Sequence, residues 1–413
     1  MSIRRIVLSI MLLIAFLCVA GCSTLPPRLQ ESGLNSRFAF DDATPFDEYI
    51  RKTEQMIKTA RVDIHKSNEA DIMNANLPFE LRPDESRYAR NASGRHEKGI
   101  LLIHGLSDSP YFMRAVARYF QDKGFLVQSI LLPGHGTVPG DLLRVTHQEW
   151  VRAAEYGIRR LKTQVHHLYI GGFSTGGALC ILEALRDPEI KGLILFAPAV
   201  GIKNPWAAAA DFMKSFNEWF GDHRDDVDYA KYESFTVNAG AQVYHLTQEI
   251  DAAFASGKHL AVPVFMVLSA DDISVDSKKA MTIFRTRMTS GKSVLMLYGK
   301  SDKTSGQDED SRIIFANSYF PEERIADFAH ICLLIPPNDR HYGKNGDYRS
   351  CLHYQGDKEK RRSCLHDPNV WQGELTKENL KARTMRRLTY NPCYDEMIKT
   401  LDHFLSVLNN AGT

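Results

Sequence analysis

From residue 98 the chain alternates two kinds of apolar pattern. "KGILLIHG" (98–105), "LVQSILLPGHG" (126–136), "HLYIGGF" (167–173) and "IKGLILFAPAV" (190–200) are short apolar runs, the first three running into glycine. Between them, "YFMRAVARYFQDKGF" (111–125), "HQEWVRAAEYGIRRLKTQV" (147–165) and "GGALCILEALRD" (176–187) space their apolar residues three and four apart. A run with few polar interruptions predicts a strand buried on both faces. The three-and-four spacing predicts a helix with one face on a core. Their alternation predicts an α/β protein, a doubly wound, mostly parallel sheet covered on both sides.

The alternation stops at Gly201. Residues 201–258 hold no evident buried strand, and Phe212, Phe216 and Trp219 recur there at helical spacing, which predicts an apolar stripe on an inserted cap. Sheet patterning resumes with "VPVFMVLSADD" (262–272), the helical "SKKAMTIFRTRM" (277–288), "SVLMLYG" (293–299) and "RIIFANSYF" (312–320). The polar stretch 300–310 reads as a surface loop, and "CYDEMIKTLDHFLSVL" (393–408) as a closing helix. Before the sheet, residues 46–75 are rich in helix formers and read as an N-terminal helix, whereas 23–45 are polar and read as a tether.

The chain has 413 residues, a formal charge of +1 and no long basic block, which argues against nucleic acid as a partner. Its N-terminus departs from the rest. "MSIRRIVLSIMLLIAFLCVAGCS" places Arg4 and Arg5 before an apolar run from Ile6 to Ala20 and ends in "VAGC". This reads as a secretory signal, since the run is short of the roughly 20 residues that span a bilayer. It resembles the lipobox of bacterial lipoprotein signals, which implies cleavage before Cys22 and acyl chains on that cysteine. Ser23 then favours the outer membrane. The expected organisation is a signal over 1–21, an anchored tether with an N-terminal helix over 22–84, and a main domain over 85–413 with its cap at about 201–258. An exported chain meets oxidising conditions, so Cys351 and Cys364, flanking a polar loop, are the expected disulfide. Metal binding there with His353 and His366 is the alternative, weakened by the lack of any CxxC pair. Cys180 reads as a buried small hydrophobe.

The chemistry centres on Gly172-Phe173-Ser174-Thr175-Gly176, a G-x-S-x-G sequence between a strand-like and a helix-like run. Its glycines permit a sharp turn with the serine hydroxyl at the apex. A serine needs a base to take its proton, and the base needs a third group to orient it. In open parallel sheets such groups lie beyond the carboxyl ends of strands. Asp272, just past the run 262–269, is the expected acid, with Asp271 the near alternative and Asp276 a distant one. His330, in "RIADFAHICLLIPP", is the expected base, with His341 its rival; His353, His366 and His403 read as loop or surface residues. An imidazole suits proton transfer near neutral pH. An oxyanion needs preorganised donors. The backbone N–H groups of Thr175 and Leu106 are the candidates, with His104 and Gly105 shaping the Leu106 loop.

Together "LLIHGLSDSP", "LLPGHG", "GGFSTGG", "LSADDISVD" and "DFAHI" resemble the α/β-hydrolase superfamily, and within it the carboxylesterase and monoacylglycerol-lipase-like group. The resemblance spans 98–335 in the order Ser, Asp, His. It implies an α/β-hydrolase fold with a cap, and "KYESFTVNAGAQVYHL" (231–246) is similar to that group's cap segments. Two departures stand out: the extra polar loop between Asp272 and His330, and some eighty residues after His330. The expected activity is hydrolysis of carboxylic esters with an apolar acyl chain, of carboxylesterase, lysophospholipase or monoacylglycerol lipase type, with the cap aromatics over Ser174. No metal and no organic cofactor is called for. The expected partners are a small-molecule or lipid ester and the membrane, through Cys22. Acyl transfer or amide cleavage on the same residues, and a catalytically idle envelope binding protein, are the competing readings.

Overall fold

The computed structural model describes residues 25–35, 41, 43–203, 210–220, 226–300 and 310–409. Cys22, the rest of the N-terminal segment to 24, Trp206 and most of the polar loop after Lys300 lie outside them.

Two helices precede the sheet, α1 (Phe46–Ala60) and α2 (Glu69–Asn76). Helix α1 buries Phe46, Tyr49, Thr53, Ile57 and Ala60, one stripe at spacings of three and four. The main chain then runs β1 (Phe79–Leu81), β2 (His96–Ile103), α3 (Arg114–Asp122), β3 (Phe125–Ile130), α4 (His147–Lys162), β4 (Val165–Phe173), α5 (Thr175–Ala184) and β5 (Ile190–Phe196). After the cap helices α6 (Ala210–Met213) and α7 (Val237–Ala255) come β6 (Val264–Ser269), α8 (Ser277–Arg287), β7 (Val294–Gly299) and β8 (Ile313–Asn317). The C-terminal part holds α9 (Lys358–His366), β9 (Trp371–Gly373), α10 (Lys377–Ala382), β10 (Met385–Arg387) and α11 (Tyr394–Asn409).

The sheet order is β1-β3-β2-β4-β5-β6-β7-β8, with only β1 antiparallel to its neighbour. The chain leaves β2 toward β3 and then crosses back to β4, so the winding reverses at β2 and β4. Crevices at the carboxyl ends of strands beside such a reversal are where ligands bind in this architecture. Strands β3 and β6 are buried at every position, which explains their near-continuous apolar patterning. Helix α4 starts with a capping box, Thr146 and Glu149 each satisfying the other's backbone N–H. Among the described residues no helix is long and apolar enough to cross a membrane.

Two local readings of the sequence need revision. Phe212 and Phe216 are exposed, with only Trp219 of that set buried, so they form no buried stripe. The cap is built instead on α7, whose small residues Ala239 and Ala241 pack closely. The tether reading fails over 25–35, which is bound to the body. Ser32 and Asn35 hydrogen-bond Asp141, and Arg28 pairs with Asp226 at the cap. The backbone of Gln30 comes so close to Gly140 that a Cβ there would lie 2.2 Å from its carbonyl oxygen.

Candidate active site

The crowding of small residues around Ser174 has a steric cause. A Cβ on Gly172 would sit 2.3 Å from the Gly176 carbonyl carbon, and one on Gly176 would sit 2.1 Å from the Ile103 oxygen. The end of β4, the start of α5 and the end of β2 pass backbone against backbone, and only glycine fits. Ser174 itself is held at φ 52°, ψ −115°. That conformation costs a non-glycine residue on the order of 1–3 kcal/mol and persists because its surroundings fix it. Here Ser174 N donates to Phe196 O, while Ser174 O accepts from Ala178 N and Ala199 N. The turn lifts the side chain off the end of the sheet, into a cavity of about 570 Å³ that His330 also lines.

His330 follows β8 on a 3-10 turn, 6% exposed. Its Nδ1 lies 2.5 Å from Oδ2 of Asp272, which sits just beyond β6 and is fully buried. The other carboxylate oxygen of Asp272 accepts from the N–H groups of Ser274 and Val275, at 2.7 and 3.0 Å. Burial pushes the Asp272 carboxyl up, but the adjacent His330 and these two donors outweigh it and hold it below the usual carboxylate range. The ring of His330 packs on Phe173, centroids 4.8 Å apart. None of the described hydrogen bonds joins Ser174 Oγ to His330. Such bonds are often long before substrate tightens the site.

The alternative residues have other partners. Asp276 caps α8 through the N–H groups of Lys278 and Lys279. His341 lies between Asp347 and Asp228, and none of the described hydrogen bonds joins it to Ser174 or Asp272. His353 bonds the Met385 carbonyl, and His403 is exposed on α11. Cys351 and Cys364 are joined by a disulfide, so that pair offers no thiolates to a metal. Cys180 is buried and unbridged, as are Cys332 and the half-buried Cys393.

Leu106 and Thr175 both line the cavity. Among the described hydrogen bonds neither N–H has a partner, and Thr175 opens α5, whose N-terminal dipole favours negative charge. The loop carrying Leu106 is set by buried imidazoles. His104 Nε2 accepts from Leu132 N, and His135 Nε2 accepts from Ser107 N at 2.9 Å. Burial keeps both rings neutral, with His135 pushed down to about 4. Ser107, at φ 63°, is further clamped by the cap: Tyr232 N donates to its carbonyl and Lys231 Nζ to its hydroxyl.

Ile202, Phe220, Phe235, Val243 and Val275 give the cavity an apolar lining, beside the charged Asp228, Lys231 and Glu233. Further lining comes from the C-terminal segment, to which the sequence assigned no role: Tyr342, Tyr348, Leu352, His353, Leu375 and Arg387. Their sequence gave no signal, because no short motif joins them and their neighbours are charged and turn-rich.

A parallel sheet wound both ways, a serine on a strained strand-to-helix turn, and an Asp–His pair beyond later strands match the arrangement that the resemblance to the α/β-hydrolases implies. The family model described as "Serine aminopeptidase, S33" matches residues 94–233. The chain is 28% identical over 205 residues to a thermostable monoacylglycerol lipase of Bacillus sp. (strain H-257), covering 48% of this chain and 80% of that protein. It is 20% identical over 233 residues to a carboxylesterase of Bacillus subtilis (strain 168), covering 54% of this chain and 91% of the relative. Among solved structures it is similar to one from the metagenome-derived lipolytic enzymes LipS and LipT, at 23% identity and TM-score 0.46, covering 54% of this chain and 86% of that one.

Proposed function

We propose that this protein hydrolyses carboxylic esters by a Ser174–His330–Asp272 relay. The observation that carries the reading is the buried Asp272–His330 bond facing the same cavity as the strained Ser174. A carboxylate can only accept hydrogen bonds, so Nδ1 of His330 carries the proton and Nε2 keeps its lone pair toward the cavity. Nε2 takes the hydroxyl proton as Ser174 Oγ attacks the ester carbonyl. The N–H groups of Leu106 and Thr175 receive the oxyanion. Collapse expels the alcohol, which takes the proton from His330, and water repeats the sequence to release the acid. The apolar lining fits an acyl chain, the carboxylesterase relative supports an ester and the monoacylglycerol lipase relative a lipid ester. We further infer that Cys22 is acylated and holds the protein in the bacterial envelope, at the outer membrane, near glycerides and lysophospholipids.

A chain-length series of chromogenic esters tests the reading. Wild type should hydrolyse at least one member, and Ser174→Ala should lose activity by about 10³-fold or more. Fluorophosphonate should label wild type at Ser174 and leave the variant unlabelled. Equal rates in the two proteins would remove the nucleophile. The matched family's description as an aminopeptidase favours amide cleavage as a second reading. A matched ester and anilide pair separates them, since an amidase would turn over the anilide at a comparable rate.

A further inference from the structure

The C-terminal segment does more than wall the cavity. Strands β9 and β10 pair in parallel as a sheet of their own, and Gln372 in β9 exchanges backbone hydrogen bonds with Arg324 and Ala326, on the approach to His330. Glu374 follows β9 directly and is fully buried. Its Oε2 accepts from His330 N at 2.9 Å, and its Oε1 accepts from Leu375 N. Arg387, the last residue of β10, donates from Nε to Oε1 at 3.1 Å and from one terminal nitrogen to Oε2 at 3.3 Å. That same nitrogen lies 3.3 Å from the hydroxyl of Ser274. Ser274 is the residue whose N–H binds Asp272.

One ion pair therefore spans two loops. Glu374 grips the backbone of the histidine, and Arg387 reaches across to the loop of the aspartate. Glu374 is fully buried and Arg387 is half-buried at the cavity, so the pair carries a desolvation cost that an apolar pair would avoid. What it supplies is direction, because both charges make hydrogen bonds of fixed geometry to the two loops that must meet.

We propose that Glu374 and Arg387 are positioning residues, which set the His330 loop against the Asp272 loop so that the imidazole points at Ser174. The inference rests on the relay proposed above. It accounts for the long C-terminal segment, which would complete the site rather than decorate it.

The test uses the full-length protein and four variants: Glu374→Gln, Arg387→Lys, Arg387→Met and the double Glu374→Gln/Arg387→Met. The double variant leaves no unpaired buried charge, so it keeps the test open where a single change unfolds the protein. Thermal unfolding and circular dichroism select the variants that are folded. Misplacing a catalytic group by about 1 Å costs about a hundredfold. In the folded variants kcat should thus fall between about tenfold and a hundredfold, with KM within about twofold, and fluorophosphonate labelling of Ser174 should slow in parallel. Arg387→Lys, which keeps the charge, should recover part of the loss. Folded variants with wild-type kcat and labelling would overturn the proposal. So would a raised KM with kcat kept, which would make Arg387 a substrate contact. Failure of the relay looks different: wild type itself would then neither hydrolyse esters nor label at Ser174, and the positioning role would fall with it.

Discussion

Two buried imidazoles contribute to the pH behaviour of this protein at the level of single residues. His104 and His135 shape the loop of Leu106, and both are held neutral by burial. A histidine with a depressed folded-state pKa binds its proton more weakly in the native state than in the unfolded chain. Its contribution to stability is therefore complete above the unfolded value near 6.5 and shrinks as pH falls toward about 4, where the native ring also protonates. For His135 the span corresponds to on the order of 3 kcal/mol. The melting temperature should drop between those limits, and His135→Gln, less stable at pH 7, should show a flatter dependence. A melting curve against pH with the same slope in both proteins would remove His135 as the source. These residues also mark how far sequence reading reaches. Ser174, Asp272 and His330 could be chosen because each follows a strand-like run at a position where a parallel sheet gathers side chains. Glu374 and Arg387 could not. Their placement depends on strands of three residues held by each other, by the Arg324–Ala326 loop and by the Ser350 carbonyl, and nothing local in the sequence distinguishes them from surface charges.

At the level of elements, the central strands and helices were legible because each obeys one period. The cap was not. Helix α7 mixes small, polar and apolar residues and packs one part of its surface on the body and another over the cavity, so neither period dominates. The C-terminal segment was opaque for a related reason: it is held by particular bonds more than by an apolar face. The bridge between Cys351 and Cys364 is one of them. Its two halves flank the seat of β10, where Arg387 N donates to the Ser350 carbonyl and Arg386 Nε to the Cys364 carbonyl. A loop of this length constrains the unfolded chain by about 3 kcal/mol. Cys351→Ser/Cys364→Ser should melt several degrees lower and lose ester hydrolysis before the core unfolds. Nonreducing digestion of wild type should yield one linked peptide, and free thiols at both positions would contradict the bridge.

At the scale of the whole molecule, the N-terminal residues bear on where the body sits. Leu29 is fully buried, and Cys22 lies seven residues before it, a reach of about 25 Å at most for extended chain. An acylated Cys22 would hold the cap side, where Arg28 meets Asp226, against the lipid surface. Cells expressing the protein with labelled palmitate should incorporate label, and Cys22→Ser should abolish it. A wild-type protein recovered unlabelled in the soluble fraction would refute the anchor.

The pairing of Glu374 with Arg387 also sets an order of events during synthesis. Ribosomes deliver the nucleophile first, the acid next and the imidazole later, and the brace follows all three. A nascent chain that already carries Ser174, Asp272 and His330 but not yet the brace would turn over esters about tenfold to a hundredfold more slowly than the braced protein.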